Sequence, residues 1–223
     1  MRVACLLLSI SVSAWPQVAR EANKDYDTNE NRAKMIERLD APARLANLQP
    51  PELVSRLRIT SGSTVVDLGT GIGTLLEHLS RAVGPGGRII AEDIHSDFLD
   101  YARKRTGAAH LSNVEFVLGT EVDPKLPDNS ADLVVVVDAY HHFDYPEQML
   151  AAIKRSLRPA GRLGIVEYHK KRGAMEVDPD FALTHIRAGS DEVVREVEAA
   201  GYTLLWRRDH APDRQYIAMF QLR

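Results

Sequence analysis

The chain has 223 residues, which suits one α/β domain with a short extension and leaves room for a full hydrophobic core. Its formal net charge is −3 and it has no run of basic residues, so the sequence argues against a dedicated nucleic-acid-binding surface. No apolar stretch approaches the length that a helix needs to cross a bilayer, and we therefore expect no transmembrane span.

The first 14 residues have the pattern of a short secretory signal. One positive charge, at Arg2, is followed by an apolar stretch, and small residues at positions 12–14 precede Trp15. We expect residues 1–14 to be a signal peptide, which would make the protein exported or periplasmic. Two alternatives stay open, a buried helix and an unused upstream start codon, and either would leave the protein in the cytoplasm. Cys5 is the only cysteine, so a chain cut after Ala14 could form no disulfide.

Residues 15–60 precede the main domain and have a largely helical pattern. Residues 15–28 are polar, and we expect them to be loose. From Asn29 to about Arg58, apolar residues recur at helical spacing. Pro42 and the prolines at 50–51 divide this stretch into short helices.

The most informative stretch is residues 63–74, which predicts a strand, a glycine turn and the start of a helix. Residues 64–68 have the apolar pattern of a central parallel strand. Thr74 and Glu77 then form a capping-box pattern that predicts a helix N-terminus. Such a unit forms a site for a negatively charged or polar ligand group. Between strand and helix, three glycines occur at alternate positions: Gly69, Gly71 and Gly73.

The glycine spacing argues against the common dinucleotide fingerprint. That fingerprint places its third glycine three positions after the second, where this chain has Thr74. A nicotinamide-dependent oxidoreductase therefore remains only an alternative. The next predicted strand, residues 87–94, brings Asp93 to the position where a ribose-binding carboxylate belongs.

Strands alternate with helices along the rest of the chain. Ser96, Ser190, and Asp144 with Pro146, are expected to open the helices that follow them. This order predicts an α/β doubly wound, mostly parallel seven-stranded sheet with helices on both faces and a C-terminal antiparallel hairpin. The further strands are predicted at residues 114–118, 131–137, 161–167, 202–206 and 216–222.

Taken together, these stretches resemble the class I S-adenosylmethionine-dependent methyltransferases. The matching segments are residues 66–73, 91–94, 126–134 and 157–163, and the last is close to the family's arginine-proline-glycine-glycine turn. The resemblance covers residues 45–223 and is specific as a set. It implies a Rossmann-like methyltransferase fold, S-adenosyl-L-methionine as cofactor, a methyltransferase domain at 61–223 and a helical lid at 15–60.

The same resemblance implies which residues hold the cofactor. The glycine turn is expected to pack against the methionine part, and Asp93 to accept hydrogen bonds from both ribose hydroxyls. The alternative for Asp93 is a strand-end carboxylate satisfied by nearby backbone. The family's adenine-binding aspartate is Thr120 here, so backbone groups are expected to bind the ring instead. The cofactor-binding candidates are Asp67, Gly69, Thr70, Gly71, Gly73, Asp93, Ile94, Thr120, Glu121 and Val122.

Methyl transfer depends mainly on in-line positioning, and a general base helps only where the acceptor must lose a proton. The polar groups after the fourth and fifth strands are the candidates, and Glu167 and His169 are expected to converge with them. By resemblance, His142 rather than His141 faces the acceptor. We predict His142, His141 and Asp138 as catalytic residues. Local packing of one histidine, or a divalent metal held by these groups, is an alternative, but their spacing matches no defined metal motif and no metal ligand is predicted.

The predicted function is S-adenosylmethionine-dependent methyl transfer to an unidentified small-molecule acceptor. A module of the same fold that binds the cofactor without turnover is the alternative from another class, supported by Thr120 and by the signal-like segment. The sequence predicts neither the acceptor atom nor the oligomeric state.

Overall fold

A computed structural model describes residues 17–175 and 177–223. Its centre is a seven-stranded sheet with the strand order β3-β2-β1-β4-β5-β7-β6. The first five strands pair in parallel, and β7 lies antiparallel between β5 and β6. The predicted fold class is therefore confirmed. The strands are β1 (Thr64–Leu68), β2 (Arg88–Asp93), β3 (Val114–Leu118), β4 (Ala131–Val137), β5 (Leu157–Tyr168), β6 (Tyr202–Ala211) and β7 (Gln215–Leu222).

Helices cover both faces of this sheet. Alternate residues of β1 show the two faces, because Val66 packs in a core with α7 and α9 whereas Val65 packs in another with α4 and α5. All five residues of β1 are buried, as expected for a central parallel strand. The helices are α1 (Arg20–Asn23), α2 (Asn29–Leu39), α3 (Pro42–Leu48), α4 (Pro50–Leu57), α5 (Leu76–Val83), α6 (Ser96–Ala108), α7 (Pro146–Ser156), α8 (Phe181–His185) and α9 (Ser190–Ala199), with 3₁₀ turns at Lys24–Tyr26 and Tyr140–His142.

The strand order reverses between β1 and β4, because β1 pairs with β2 on one side and with β4 on the other. In open parallel sheets, ligands bind outside the carboxyl ends of the strands at this point. The turns after β1, β2 and β4 therefore meet around one crevice. Among the described residues, no helix is both long and apolar enough to cross a membrane.

Several predicted helix starts are wrong in detail. The predicted capping box at Thr74 is absent, because residues 71–75 form turns and α5 begins at Leu76 without a side-chain cap. Ser96 and Ser190 are the first residues of their helices and not caps. α7 begins at Pro146, as predicted, but Asp144 does not cap it, since its carboxylate accepts hydrogen bonds from the N-terminal segment instead.

The prediction that residues 15–28 are loose is wrong for the part that the structure describes. This segment forms α1 and a 3₁₀ turn, and both Ala19 and Ala22 are buried. The backbone N–H of Ala19 donates to Asp144 Oδ1 at 3.1 Å, and that of Val18 to the Asp144 carbonyl at 3.2 Å. These contacts link positions more than 120 residues apart, so a local pattern could not reveal them. The predicted signal peptide, residues 1–14, lies outside the described residues.

Candidate active site

A cavity of about 860 Å³ opens at the carboxyl ends of β1, β2 and β4. The N-terminal helices supply one of its walls, through Tyr26, Leu39, Arg44 and Leu48. This volume is in the usual range for a site that encloses a small-molecule ligand. Of the predicted site residues, those in its lining are Asp67, Gly69, Thr70, Gly71, Asp93, Ile94, Glu121, Asp138 and His142.

The glycine turn after β1 has a conformation that other residues adopt at a cost. Gly69 has φ +73° and Gly71 has φ +54°. A Cβ atom on Gly69 would lie 2.8 Å from Ala139 Cβ, whereas one on Gly71 would meet only Leu39, at 3.6 Å. The Thr70 hydroxyl donates to Asp67 Oδ2 at 2.7 Å and fixes the start of the turn. Backbone of the turn can therefore approach a ligand closely.

Asp93, at the end of β2, is hydrogen-bonded to the glycine turn. Its carboxylate accepts hydrogen bonds from the backbone N–H of Gly71 at 2.8 Å and from that of His95 at 2.9 Å. Burial raises the pKa of Asp93 to about 6, although these backbone hydrogen bonds oppose the shift. Each carboxylate oxygen keeps acceptor capacity for a ligand hydroxyl beyond its backbone bond. The alternative that nearby backbone satisfies Asp93 thus explains these two hydrogen bonds, and the carboxylate can still accept hydrogen bonds from ribose hydroxyls.

Two further buried carboxyl groups stand beside Asp93. Burial raises the pKa of Asp67 to about 6, and burial together with the Asp93 charge raises that of Glu92 well above its usual range. Glu92 Oε2 accepts a hydrogen bond from the Gly69 N–H at 3.3 Å, while its buried Oε1 has no partner within the described chain. The floor of the cavity is therefore rich in acidic groups.

Of the residues after β3, some line the cavity and others form a local turn. Thr120 forms a local turn, since its hydroxyl donates to the Asp123 carbonyl and accepts from the Asp123 N–H. Glu121 and Ile94 line the cavity, whereas Thr120 and Val122 are not in its lining. Gly73 is also outside the lining and packs towards α6, where its Cβ would lie 3.0 Å from Ala102 Cβ.

The two consecutive histidines have ring centres 4.0 Å apart but different hydrogen-bond partners. His141 is buried, with Nδ1 2.7 Å from Glu167 Oε2, and its backbone N–H donates to the same oxygen at 3.1 Å. His142 lines the cavity, as predicted, and its Nδ1 lies 2.8 Å from Asn23 Oδ1. His169 does not converge with them, which corrects that prediction, because it pairs with Asp209 at 3.1 Å.

Asp138 follows β4 directly and has a left-handed conformation, with φ +50°. Arg44 Nη1 donates to one of its oxygens at 3.0 Å, and Gln215 Nε2 donates to the other at 2.6 Å. Burial is the main cause that raises the pKa of Asp138, while Arg44 opposes it. Asp138 therefore joins the N-terminal helices and β7 to the cavity wall.

Sequence reasoning missed four residues around His142. Asn23, Tyr26 and Arg44 come from the N-terminal segment, and His185 comes from α8, in a region without a clear pattern. The His185 ring centre lies 5.0 Å from that of His141 and 5.5 Å from that of His142. Burial and the neighbouring imidazoles lower the pKa of His142 well below its usual range and that of His185 to about 4. No local signal could have identified them, because each acts through a long-range contact.

Comparisons with known proteins agree with this architecture. A family model described as a methyltransferase domain matches residues 66–165. A ubiquinone/menaquinone biosynthesis C-methyltransferase from Hahella chejuensis is 31% identical over 118 residues, 52% of this chain and 47% of that protein. Its Pseudomonas putida counterpart is 33% identical over 115 residues, 50% of this chain and 44% of that protein. The chain thus spans about half the length of the curated relatives it matches.

A solved structure extends the likeness to most of the chain. The crystal structure of an S-adenosylmethionine-dependent methyltransferase from Aquifex aeolicus superposes with a TM-score of 0.78 at 26% identity. The match covers 85% of this chain and 98% of that one. The mostly parallel sheet, the glycine turn and the acidic residue at the end of β2 agree with what the sequence resemblance implied. Residues 66–165 thus match a methyltransferase domain, and the chain has the fold of the class I S-adenosylmethionine-dependent methyltransferases.

Proposed function

We propose that the protein transfers the methyl group of S-adenosyl-L-methionine to a small-molecule acceptor that binds beside His142. The observation that supports this most strongly is one cavity with two chemically different parts. The glycine turn and Asp93 line one part, and His142 with Tyr26 lines another. One ligand with a ribose and a second ligand of different chemistry could therefore meet inside it.

The residues of the first part fit the family's cofactor. When bound, the cofactor supplies a methyl group on a positively charged sulfonium. The acidic groups Asp67, Glu92 and Asp93 favour a cationic ligand over an anionic dinucleotide. Gly71 leaves open space in front of its backbone, since a Cβ there would touch only the Leu39 side chain. These features support the methyltransferase assignment over the oxidoreductase alternative.

The other part of the cavity favours a flat, largely apolar acceptor. Tyr26, Phe143 and Met149 line the cavity together with His142. Aromatic rings and a methionine sulfur suit the faces and edges of a planar ring. The C-methyltransferases of ubiquinone and menaquinone biosynthesis are relatives of this chain, and we extend from them the proposal that carbon of an aromatic or quinol-type ring is methylated.

The chain would contribute to such a reaction mainly by positioning and by excluding water. We propose that residues 15–60 act as a lid over the 61–223 domain. Support comes from Asp40, which accepts hydrogen bonds from Tyr101 at 2.8 Å and Arg105 at 2.7 Å on α6. Arg32 also pairs with Asp97 at 2.7 Å. Removal of residues 1–14 on export remains part of this proposal, and it would leave the lid intact.

Calorimetric titration with S-adenosylhomocysteine tests the cofactor assignment. We expect one site per chain and no comparable binding of NAD⁺ or NADH. Asp93→Ala should weaken binding by about 30-fold to 1,000-fold, because two hydrogen bonds to a charged acceptor are lost. Asp100→Ala removes an exposed carboxylate from α6 and serves as the matched control. Wild-type affinity in a folded Asp93→Ala variant would contradict the placement of the ribose.

Turnover then separates an enzyme from a binding module. Methyl transfer from labelled S-adenosylmethionine is measured against quinols, phenols and amines. We expect products from planar ring acceptors, with the label on carbon. Tight S-adenosylhomocysteine binding without methylation of any acceptor would favour the binding module.

A further inference from the structure

We propose that His141, His142 and His185 form a binding site for a divalent transition metal of the zinc type beside the cavity. One ring nitrogen from each histidine lies within 4.8 Å of the other two. A tetrahedral zinc site with Zn–N bonds of 2.0–2.1 Å separates its ligand nitrogens by about 3.3 Å. The three rings are thus close enough for a modest side-chain movement to complete the site. The inference concerns metal binding alone and does not depend on methyl transfer.

The hydrogen bonds of Asn23 define how the His142 ring is oriented. Asn23 Nδ2 donates to the His142 carbonyl and to Asp144 Oδ2, both at 3.0 Å. The amide is therefore turned so that its oxygen faces the ring, 2.8 Å from His142 Nδ1. Because an amide oxygen can only accept, Nδ1 carries the proton, and Nε2 is left with a free lone pair.

His141 is held in the same way by a carboxylate. Its Nδ1 lies 2.7 Å from Glu167 Oε2, which also accepts the His141 backbone N–H. An ionised carboxylate accepts hydrogen bonds and donates none, so here too Nε2 is left as the ligand atom. Histidines that bind metals usually donate their second ring N–H to a carboxylate or another oxygen, which fixes the tautomer and the ring orientation. Two of the three proposed ligands have this arrangement.

His185 is the adjustable member of the set. It lies at the end of the short helix α8 and stacks on Phe181, with ring centres 4.5 Å apart. Within the described residues no hydrogen bond holds its ring nitrogens, so the ring can rotate on Phe181 towards the other two. Simple packing explains His141, but it does not explain why a third imidazole approaches two that are already oriented.

The ligand set indicates the class of metal. Three imidazoles suit Zn²⁺, and Cu²⁺, Ni²⁺ or Co²⁺ would also bind such a set. Three protein ligands leave one tetrahedral position open. Since His142 lines the cavity, that position would face the space proposed for the acceptor, where a water or an acceptor oxygen could occupy it. In the metal-bound protein His142 is a ligand, which replaces the free-base role expected from the sequence.

Metal binding is measured on the full, tag-free chain after chelator treatment and dialysis. We expect ZnCl₂ to bind at one ion per chain with micromolar affinity or tighter, and CoCl₂ to give the visible absorption of a tetrahedral site. His185→Ala and His142→Ala should each weaken Zn²⁺ binding by at least about 100-fold. His169→Ala removes a histidine that pairs with Asp209 outside the set, and its affinity should equal that of the wild type.

Two more results decide the proposal. Asn23→Ala removes the group that orients His142 and should weaken Zn²⁺ binding about tenfold. His185 is only partly buried, so His185→Ala is the variant least expected to disturb folding, and circular dichroism checks this. No stoichiometric Zn²⁺ or Co²⁺ binding by the wild type, or equal affinity in a folded His185→Ala variant, would overturn the site.

Discussion

At the scale of single residues, Asp93 combines a structural role with the ribose-binding role that we propose for it. It fixes the glycine turn through the Gly71 N–H, and it lines the cavity as a carboxylate with a pKa raised to about 6 by burial. The Asp97 charge adds to this shift, and Glu92 is a neighbouring buried acid. The group therefore titrates just below neutral pH, and the proposed binding of ribose would depend on its charge there.

The first prediction follows from that pKa. Between pH 7.5 and pH 5.0 Asp93 becomes largely protonated, and a neutral carboxyl loses its charge-assisted hydrogen bonds. We expect the affinity for S-adenosylhomocysteine to fall about tenfold over this interval, because only about one tenth of Asp93 stays ionised one pH unit below its pKa. Calorimetry at both pH values measures it. Asp93→Asn should bind more weakly at pH 7.5 and show a flatter profile, and an affinity independent of pH in the wild type would argue against a charged ribose acceptor.

The glycine turn gives a second prediction, in which two neighbouring positions act as controls for each other. Gly69→Ala and Gly71→Ala both place a side chain at positive φ, which costs roughly 1–2 kcal/mol. Only Gly69→Ala adds a contact that is too close, 2.8 Å from Ala139 Cβ, and this overpacking should cost a further ~1–3 kcal/mol. Denaturant titration should therefore find Gly69→Ala clearly less stable. Gly71→Ala should stay folded yet lose S-adenosylhomocysteine affinity, because its methyl group faces the cavity.

At the scale of elements, the sequence predicted strands better than helix starts. β3 and β4 have the predicted bounds, 114–118 and 131–137. β4 is the mostly buried apolar run expected of a central parallel strand, whereas β3 lies at the sheet edge and its residues are half-buried or exposed. The caps proposed at Ser96 and Ser190 failed, since one serine can begin a helix without capping it. Asp93, at the end of β2, and His142, in the turn after β4, line the cavity, whereas their roles stay predictions.

Elements that depend on distant partners could not be predicted in this way. α1 forms where Asp144 and His142 supply acceptors for its backbone and for Asn23. His185 approaches the histidine pair only because α8 comes close to the 3₁₀ turn that follows β4. Neither relation leaves a periodic pattern in the chain, since both join residues far apart in sequence.

The third prediction concerns the attachment of α2 to α6. Asp40 follows α2 and accepts hydrogen bonds from Tyr101 and Arg105, while Arg32 forms a separate ion pair with Asp97. Asp40→Ala should loosen α2 only in part, since partly exposed bonds of this kind contribute little individually. We expect faster amide exchange in α2 and about two- to fivefold faster release of S-adenosylhomocysteine. Glu37→Ala changes an exposed carboxylate on the same helix and serves as the control. Equal effects from both variants would contradict the attachment of α2 to α6 through Asp40.

At the scale of the whole molecule, the acidic cavity floor opposes folding stability. Asp67, Asp93 and Glu92 are buried, and each has a pKa raised by burial. For a carboxyl whose pKa is higher in the folded than in the unfolded state, the folded protein binds more protons in the interval between the two values. Its contribution to the free energy of unfolding is present below the unfolded pKa and is lost as pH rises through the folded one. These buried acidic groups suit a cationic cofactor, but they make the folded protein least stable at neutral and alkaline pH.

The fourth prediction isolates this effect at Asp67. Its pKa is about 6 in the folded protein against an ordinary value of 3.8, so ionisation above pH 6 should lower the free energy of unfolding by about 2–3 kcal/mol. Asp67→Asn removes the charge, while its amide oxygen can still accept the Thr70 hydroxyl. Denaturant unfolding should find the variant more stable than the wild type by that amount at pH 8 and nearly equal at pH 4. Asp100→Asn, at an exposed site, should follow the wild type at both pH values, and a gain for Asp67→Asn that does not change with pH would mean that relieved packing, not charge burial, is responsible.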